Sequence, residues 1–152
     1  MDVLTCRVGP HRLALPVGDV REVLRAAAIT PLPGSPRLVD GVVDVRGEPV
    51  PVLNGRLRFD VPVRDLSPDE HFILVRAGRR SMLLRVDDVE GLATVPASAV
   101  NTLTELIVAE RHVTGLVVLP DGMALLHDPE TFLSAAESDR LVEAMTAAAH
   151  PS

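Results

Sequence analysis

The chain has 152 residues, with 21 acidic side chains against 15 basic ones and a formal net charge of -6. An acidic chain that also lacks tryptophan and tyrosine has neither the basic face nor the stacking platforms of a nucleic-acid-binding protein. It contains no apolar run of about 18 residues for direct membrane insertion, and its single cysteine excludes an internal disulfide. We expect a cytoplasmic protein, because the N-terminal stretch MDVLTCRVG shows strand-like alternation and no signal peptide.

The N-terminal half predicts two hairpins, with turns at Gly9-Pro10-His11 and Arg46-Gly47-Glu48. Their strands are predicted at residues 2–8, 12–17, 38–45 and 49–53. Residues 19–25 fit either a short helix or the end of a strand. The proline-rich residues 29–36 predict a stiff, extended loop, and residues 54–59 predict one helical turn.

The C-terminal half predicts a further series of strands and then a helix, after a polar connector at residues 60–70. The strands are predicted at residues 71–77, 81–87, 88–95, 112–119 and 123–127, with a less periodic connection at 96–111. The helix is predicted at residues 129–149, because Asp128 suits an N-cap and Pro129 suits the first helical position. Its thin apolar stripe consists of Leu133, Leu141, Met145 and Ala148.

The two halves resemble each other in their spacing. Residues 41–54 and residues 115–128 both begin with glycine, run apolar, turn at a glycine, run apolar again and end at an asparagine or aspartate. Short strands with glycine turns favour barrels over an open sheet. A unit of about 60 residues is close to the lower limit for independent stability. We therefore expect two small barrel units, mainly residues 1–60 and 71–133, that share a core.

Several short motifs follow one another along the chain. They are V-x-D-V-x-E-V at residues 17–23, ITPLP at 29–33, G-V-x-x-x-R-G-x-x-x-P-V at 41–52, R-x-x-F at 56–59 and V-D-x-V at 86–89. In this order they resemble the CheW-like family of chemotaxis coupling proteins, from Leu4 to Phe132. The resemblance implies an all-β fold of two intertwined SH3-like, five-stranded β-barrels with short helices and a C-terminal helix. It further implies a single CheW-like domain across residues 1–152.

The resemblance also implies a function. Proteins of this family are non-catalytic adaptors without a cofactor, which bridge the cytoplasmic tips of methyl-accepting chemoreceptors to the regulatory domain of a CheA-like histidine kinase. We expect this chain to do the same and to be a monomer outside such arrays. One alternative is a divergent CheW-like scaffold of a non-chemotactic kinase pathway, such as motility or development. An alternative from another class is a small ligand-binding or hydrolase barrel.

Arg46 is the main candidate for partner binding. From the residues alone, Arg46 is simply an exposed arginine in a turn. The resemblance, however, implies that Arg46 lies at the groove that faces the receptor and the kinase. Its guanidinium has a rigid fork of N–H donors that suits carbonyls or a carboxylate on a partner helix. Glu22 is a rim contact or a solvated charge, and Gly41 and Gly47 belong to the same candidate site. Apolar groove walls would be supplied by Val20, Val23, Val43 and Val45.

Three sequence features limit these expectations. Alternate strand residues share a face, so a core position is favoured for any single one of the four valines. Asn54-Gly55 stands where the family usually has Asp-Leu, which puts the local helix cap in question. Leu83 stands where glycine is common in the family, and it would narrow the groove between the barrels.

Catalytic and metal-binding interpretations have weak support in the sequence. Cys6 has no nearby base, so a buried structural thiol is favoured over a pairing with His11 or His112. Asp87 and Asp88 are adjacent residues in predicted strand structure and point to opposite faces, so they do not easily form one acidic site. No metal-ligand spacing relates the five histidines, which are His11, His71, His112, His127 and His150.

Overall fold

The computed structural model describes residues 1–102 and 113–149; part of the predicted connection at 96–111, and the histidines at 112 and 150, lie outside these residues. The strands are β1 (Asp2–Val8), β2 (His11–Pro16), β3 (Val20–Arg25), β4 (Val39–Val45), β5 (Glu48–Asn54), β6 (His71–Ala77), β7 (Arg80–Val86), β8 (Asp88–Thr94), β9 (Val100–Thr102), β10 (Val113–Leu119) and β11 (Gly122–His127). The helices are α1 (Gly55–Arg58) and α2 (Ala135–Ala149).

The strands form two sheets, in the orders β8-β1-β2-β11-β10-β9 and β3-β6-β7-β5-β4. In each sheet both edge strands contribute to one apolar cluster. Ala93 of β8 and Val100 of β9 pack on the first cluster, and Leu24 of β3 and Val45 of β4 pack on the second. Each sheet therefore curls around its own core, and we call the two units barrel I and barrel II. The predicted all-β fold with a C-terminal helix is confirmed, but barrel I has a sixth, short strand, β9.

Each barrel contains strands from both halves of the chain. β1 and β2 join β8 to β11 in barrel I, whereas β3, β4 and β5 join β6 and β7 in barrel II. Parallel pairs of β2 with β11 and of β5 with β7 connect the halves. The expected units at residues 1–60 and 71–133 therefore do not coincide with the barrels. Hairpins leave a local signal in the turn, but a parallel pair joins strands that are distant in sequence and leaves none.

A third apolar cluster lies between the barrels. Leu4 and Leu13 of barrel I pack in it with Ile73 and Leu84 of barrel II. The inner strands are consequently buried on both faces, and in β7 the five consecutive residues 82–86 are all buried. The edge strand β3, in contrast, alternates between half-buried and exposed residues. The two barrels thus share a core, as their small size requires.

The structure decides between local alternatives in the N-terminal half. Residues 20–25 form a strand, β3, and a single 3-10 turn at Val17–Asp19 precedes it. The predicted helical turn after β5 is confirmed as α1. The Asn54 side chain caps it by accepting the N–H of Leu57 at 3.2 Å. None of the helices in residues 1–102 and 113–149 is long and apolar enough to cross a membrane.

The C-terminal helix begins later than predicted. Asp128 caps only a 3-10 turn at Pro129–Thr131, by accepting the N–H of Glu130 at 3.0 Å. The 3-10 turn ends there, and Ser134 and Glu137 then form a capping box that starts α2. The N–H of Ser134 donates to Oε1 of Glu137 at 2.8 Å, and the N–H of Glu137 donates to Oγ of Ser134 at 3.1 Å. The motif S-x-x-E was present in the sequence as a signal for this start.

Helix α2 packs against barrel II. Leu141 and Ala144 are buried there in one cluster with Leu32 and Val39. The predicted apolar stripe is wrong at Ala148, which is exposed. The helix instead turns Ala144 toward the barrel, three residues after Leu141 and therefore on the same face.

Candidate partner-binding site

The β4–β5 hairpin presents Arg46 at its tip. Val45 pairs with Glu48, so the turn consists of Arg46 and Gly47 only, and Glu48 belongs to β5. Both turn residues have positive φ angles, 51° for Arg46 and 86° for Gly47. This is the backbone of a type I′ turn, which matches the natural twist of a hairpin. Gly47 adopts it freely, whereas a positive φ at an arginine is uncommon and was not predicted.

Arg46 forms a two-point ion pair with Glu22 of β3. Its Nη1 donates to Oε1 of Glu22 at 3.2 Å, and its Nη2 donates to Oε2 at 2.7 Å. Because β3 and β4 are the two edge strands of barrel II, the pair joins opposite edges of one sheet. The hydrogen bonds from Arg46 lower the pKa of the Glu22 carboxyl, and the same bonds raise the pKa of the Arg46 guanidinium.

The guanidinium of Arg46 is accessible from outside although it is paired. Its side chain is 68% exposed, compared with 35% for Glu22. Two of its five N–H donors bind Glu22, and no other acceptor within the described ranges takes the three that are left. Water screens such an exposed pair, so it adds little to the stability of the fold. It does hold a charged donor group in one orientation toward the solvent.

The four valines predicted as groove walls lie in different places. Val43 and Val45 pack on the core inside barrel II, and Val20 packs on the core between the barrels. These three are therefore core-packing residues, because the alternation of each strand turns them inward. Val23 lies on the outer face of β3 and is 39% exposed. The structure brings Arg46 and Glu22 together and leaves Val23 as the accessible apolar residue of the set.

Gly41 is buried and has a positive φ of 151°. A side chain at this position would overlap the carbonyl oxygen of Thr30. Val42, which follows Gly41 in the chain, exchanges two backbone hydrogen bonds with Thr30, of 2.9 and 2.8 Å. Gly41 therefore lets the proline-rich segment lie directly against β4. Gly47, in contrast, has open space around it and is required only by the φ of the turn.

A buried ion network, which the sequence reasoning missed, holds the other end of barrel II. Arg85 of β7 donates to both carboxylate oxygens of Glu70, at 2.7 and 3.3 Å, and to Oδ2 of Asp40 at 3.0 Å. It also donates to the carbonyl of Arg64 in the connector, at 2.9 Å. Side-chain exposure is 7% for Arg85 and 1% for Glu70. Burial opposes the charge of Arg85, but Glu70 and Asp40 outweigh it and raise the pKa of Arg85. The available signal was an arginine inside an apolar strand, which requires a buried partner.

Comparison with known proteins decides the family. Residues 2–137 match the model of the CheW-like domain. The chain belongs to the CheW-like domain family. The chemotaxis protein CheW of Klebsiella aerogenes is 26% identical over 140 residues, which cover 90% of this chain and 83% of that protein. Protein FrzA of Myxococcus xanthus is 53% identical over 53 residues, which cover 35% of this chain and 32% of that protein.

A solved structure supports the same fold. The scaffolding protein TtCheW from Thermoanaerobacter tengcongensis matches this CheW-like domain with a TM-score of 0.81 and 21% sequence identity. The match covers 90% of this chain and 94% of that chain. The family resemblance expected from the motifs is confirmed, and this CheW-like domain is a coupling adaptor of the chemotaxis type.

The two departures from the family pattern have structural explanations. Asn54 keeps the cap of α1, and its amide also donates to Asp40 at 3.2 Å. Gly55 is buried, and a side chain there would overlap the carbonyl oxygen of Arg85, so glycine allows α1 to approach β7. Leu83 is fully buried inside barrel II with Val52, and not in a groove between the barrels as expected.

The side chains considered for catalysis, Cys6 and Asp87, have structural roles. Cys6 is buried between the barrels of this CheW-like domain, and desolvation raises the pKa of its thiol to about 12, so it stays protonated. Asp87 accepts from Arg56 at 2.9 and 2.7 Å and from the N–H of Gly9 at 2.7 Å. Among the described residues no group of three or more His, Cys, Asp or Glu side chains is placed to hold a metal ion.

Proposed function

We propose that this CheW-like domain couples methyl-accepting chemoreceptors to a CheA-like histidine kinase in the cytoplasm. One surface, around Arg46, binds the cytoplasmic tip of the receptor. Another surface binds the regulatory domain of the kinase. The domain acts by binding alone and catalyses no reaction.

The observation that carries this proposal is the exposed, oriented guanidinium at the tip of the β4–β5 hairpin. Arg46 is fixed by a two-residue turn and by Glu22, yet most of its side chain is open to solvent. A donor group that is already ordered loses less conformational entropy when a partner binds. Arginine is also one of the residues that contribute most to protein interfaces. Val23, on the outer face of the same barrel, adds accessible apolar surface.

Signalling in this proposal needs no bond chemistry. The receptor and the kinase are held on one rigid body, because the two barrels share a core. A receptor that changes its shape then shifts the population of kinase arrangements that the same adaptor permits. A ligand shifts such an equilibrium only by its difference in affinity for the two states.

A binding experiment with both partners tests the proposal. The purified chain is titrated with the cytoplasmic tip fragment of a receptor and with the kinase regulatory domain, both from its own organism, and then with the two together. We expect each partner to bind and a ternary complex to form. Binding of the kinase without the receptor tip would favour the scaffold of a non-chemotactic pathway. Binding of neither partner would contradict the adaptor function and would favour the alternative of a small ligand-binding barrel.

A further inference from the structure

The pair Asn54-Gly55, at the junction of β5 and α1, is chemically unstable in a flexible chain. Asparagine before glycine readily loses its side-chain amide, because glycine leaves its own nitrogen unhindered. The Gly55 nitrogen bonds to Cγ of Asn54, the Cγ–Nδ2 bond breaks, and ammonia leaves with the proton of that nitrogen. Water then opens the cyclic imide and leaves aspartate or isoaspartate. The second asparagine of the chain, Asn101, precedes a β-branched threonine, which hinders the same attack.

The folded chain holds the Asn54 side chain away from this reaction. The residue is only 4% exposed, so water has little access to it. Its Oδ1 accepts the N–H of Leu57 at 3.2 Å, and its Nδ2 donates to Oδ1 of Asp40 at 3.2 Å. Both ends of the amide are therefore in use, and cyclisation would have to break both hydrogen bonds.

The backbone at this junction is also fixed in an unreactive conformation. The imide ring closes only when the Gly55 nitrogen lies on the same side as Cβ of Asn54, and the observed ψ of 108° turns it away. The N–H of Asn54 donates to the carbonyl of Leu38 at 2.8 Å, which holds this orientation. Gly55 packs so closely on the carbonyl of Arg85 that a side chain there would overlap it. The reaction thus requires the junction to leave its place on β7.

Neither product fits the place that Asn54 occupies. An aspartate would bring a second carboxylate to the point where the amide now donates to Asp40. The nearby Arg85 already serves Asp40 at 3.0 Å and Glu70 at 2.7 Å. An isoaspartate runs the main chain through its Cβ and adds one carbon between β5 and α1, where Gly55 has no free space. Both products should therefore weaken barrel II.

We propose that Asn54-Gly55 is a protected deamidation site, which reacts only in chains whose barrel II has opened and which hinders those chains from folding again. When opening and closing are fast, a modification of the open form proceeds at the rate of the open chain multiplied by the fraction that is open. Deamidation then marks opened chains irreversibly and removes them from the pool of folded adaptor. This chemistry belongs to the chain alone and does not depend on partner binding.

Mass spectrometry of the full chain tests the proposal. The chain has two asparagines and no glutamine, so every conversion of a side-chain amide to an acid belongs to Asn54 or Asn101. Cleavage after arginine places them on separate peptides, residues 47–56 and 86–111. Samples are kept in buffer and in denaturing urea at one pH and temperature. We expect Asn54 to react at least about a hundredfold more slowly in buffer than in urea, and faster than Asn101 in urea.

A matched pair of variants changes the open fraction. Val52→Ala creates a cavity at a fully buried residue of barrel II, whereas Val63→Ala makes the same change at a residue that is 57% exposed. We expect Val52→Ala to accelerate the reaction of Asn54 in buffer about tenfold and Val63→Ala to leave its rate unchanged. Should Val52→Ala fail to fold, urea concentrations just below the unfolding transition of the unmodified chain raise the open fraction instead.

Refolding tests the second half of the proposal. After urea is removed, the fraction that regains the folded amide spectrum should fall in step with the unmodified fraction of Asn54. Asn54→Asp, which reproduces one product, should lower the thermal midpoint. Adding Asp40→Asn should restore part of that loss, because an amide at position 40 can donate to the new carboxylate.

Three results would overturn the proposal. They are equal reaction rates of Asn54 in buffer and in urea, a faster reaction at Asn101 than at Asn54 in urea, and deamidated chains that refold with an unchanged thermal midpoint. Since no receptor or kinase takes part in these experiments, each of these results would leave the proposed coupling function untouched.

Discussion

Arg46 and Glu22 tie together the two edge strands of barrel II across a distance of 24 residues in sequence. The pair is exposed, and it orients the guanidinium while it leaves further donors open. Its geometry makes one consequence measurable in the free protein. Because Arg46 lowers the pKa of the Glu22 carboxyl, that carboxylate should be protonated at a lower pH than an unpaired glutamate.

The first prediction concerns this pKa. Carboxyl NMR of Glu22 should give a pKa below its ordinary value of 4.5, and the Arg46→Gln variant should bring it back toward that value. A lowered pKa in the folded state means that the pair contributes stability above the unfolded pKa and loses it as the pH falls through the folded pKa. An identical Glu22 titration in both proteins would show that the ion pair does not form in solution.

The second prediction concerns the buried pair of Arg85 and Glu70. Arg85→Met should lower the free energy of unfolding by about 3–5 kcal/mol, since it leaves Glu70 buried without a counter-charge. The double variant Arg85→Met with Glu70→Leu should lose less than the single variant. Urea unfolding of the four proteins in this cycle measures the coupling. Additive effects would mean that Arg85 and Glu70 contribute independently to the free energy of unfolding.

The third prediction separates two glycines of the same hairpin. Gly41→Ala should cost more stability than Gly47→Ala, because the new methyl group meets the Thr30 carbonyl as well as a positive φ. Strain at such a backbone position is about 1–3 kcal/mol before any overlap is counted. Gly47→Ala has only the backbone term, because its surroundings are open. Thermal unfolding of both variants provides the comparison, and equal losses would contradict the close contact at Gly41.

The fourth prediction concerns the start of α2. Ser134→Ala removes the hydroxyl that accepts the N–H of Glu137 and should cost about 1 kcal/mol in the free energy of unfolding. Ser134→Thr keeps a hydroxyl in the same position and serves as the control. Urea titration measures both. A loss in the threonine variant as large as that in the alanine variant would argue against the cap as the cause.

Local signals in the sequence predicted local structure well. The β4–β5 hairpin, the helical turn α1 and most of the strands were predicted from turn residues and alternation. The start of α2 was missed because Pro129 after Asp128 is itself a valid start signal, and it was used for a single 3-10 turn. The α-helix itself starts at the later capping box of Ser134 and Glu137.

Relationships between distant residues were harder to predict. The parallel pairs that interleave the two halves leave no periodic pattern. The pairing of Arg46 with Glu22 and of Arg85 with Glu70 depends on which strands lie at the edges and ends of barrel II, and that order follows from the interleaving. Alternation alone already favoured core positions for Val43 and Val45, which is where they pack.

The most direct measurement for the proposed coupling function is partner binding by Arg46→Ala. Calorimetric titration with the receptor tip fragment and with the kinase regulatory domain should show at least about tenfold weaker affinity for one of them. The thermal midpoint should stay nearly unchanged, because the lost pair is exposed. Arg25→Ala, at an exposed arginine on the same barrel, should leave both affinities as they are. Unchanged affinity of Arg46→Ala for both partners would contradict the central claim.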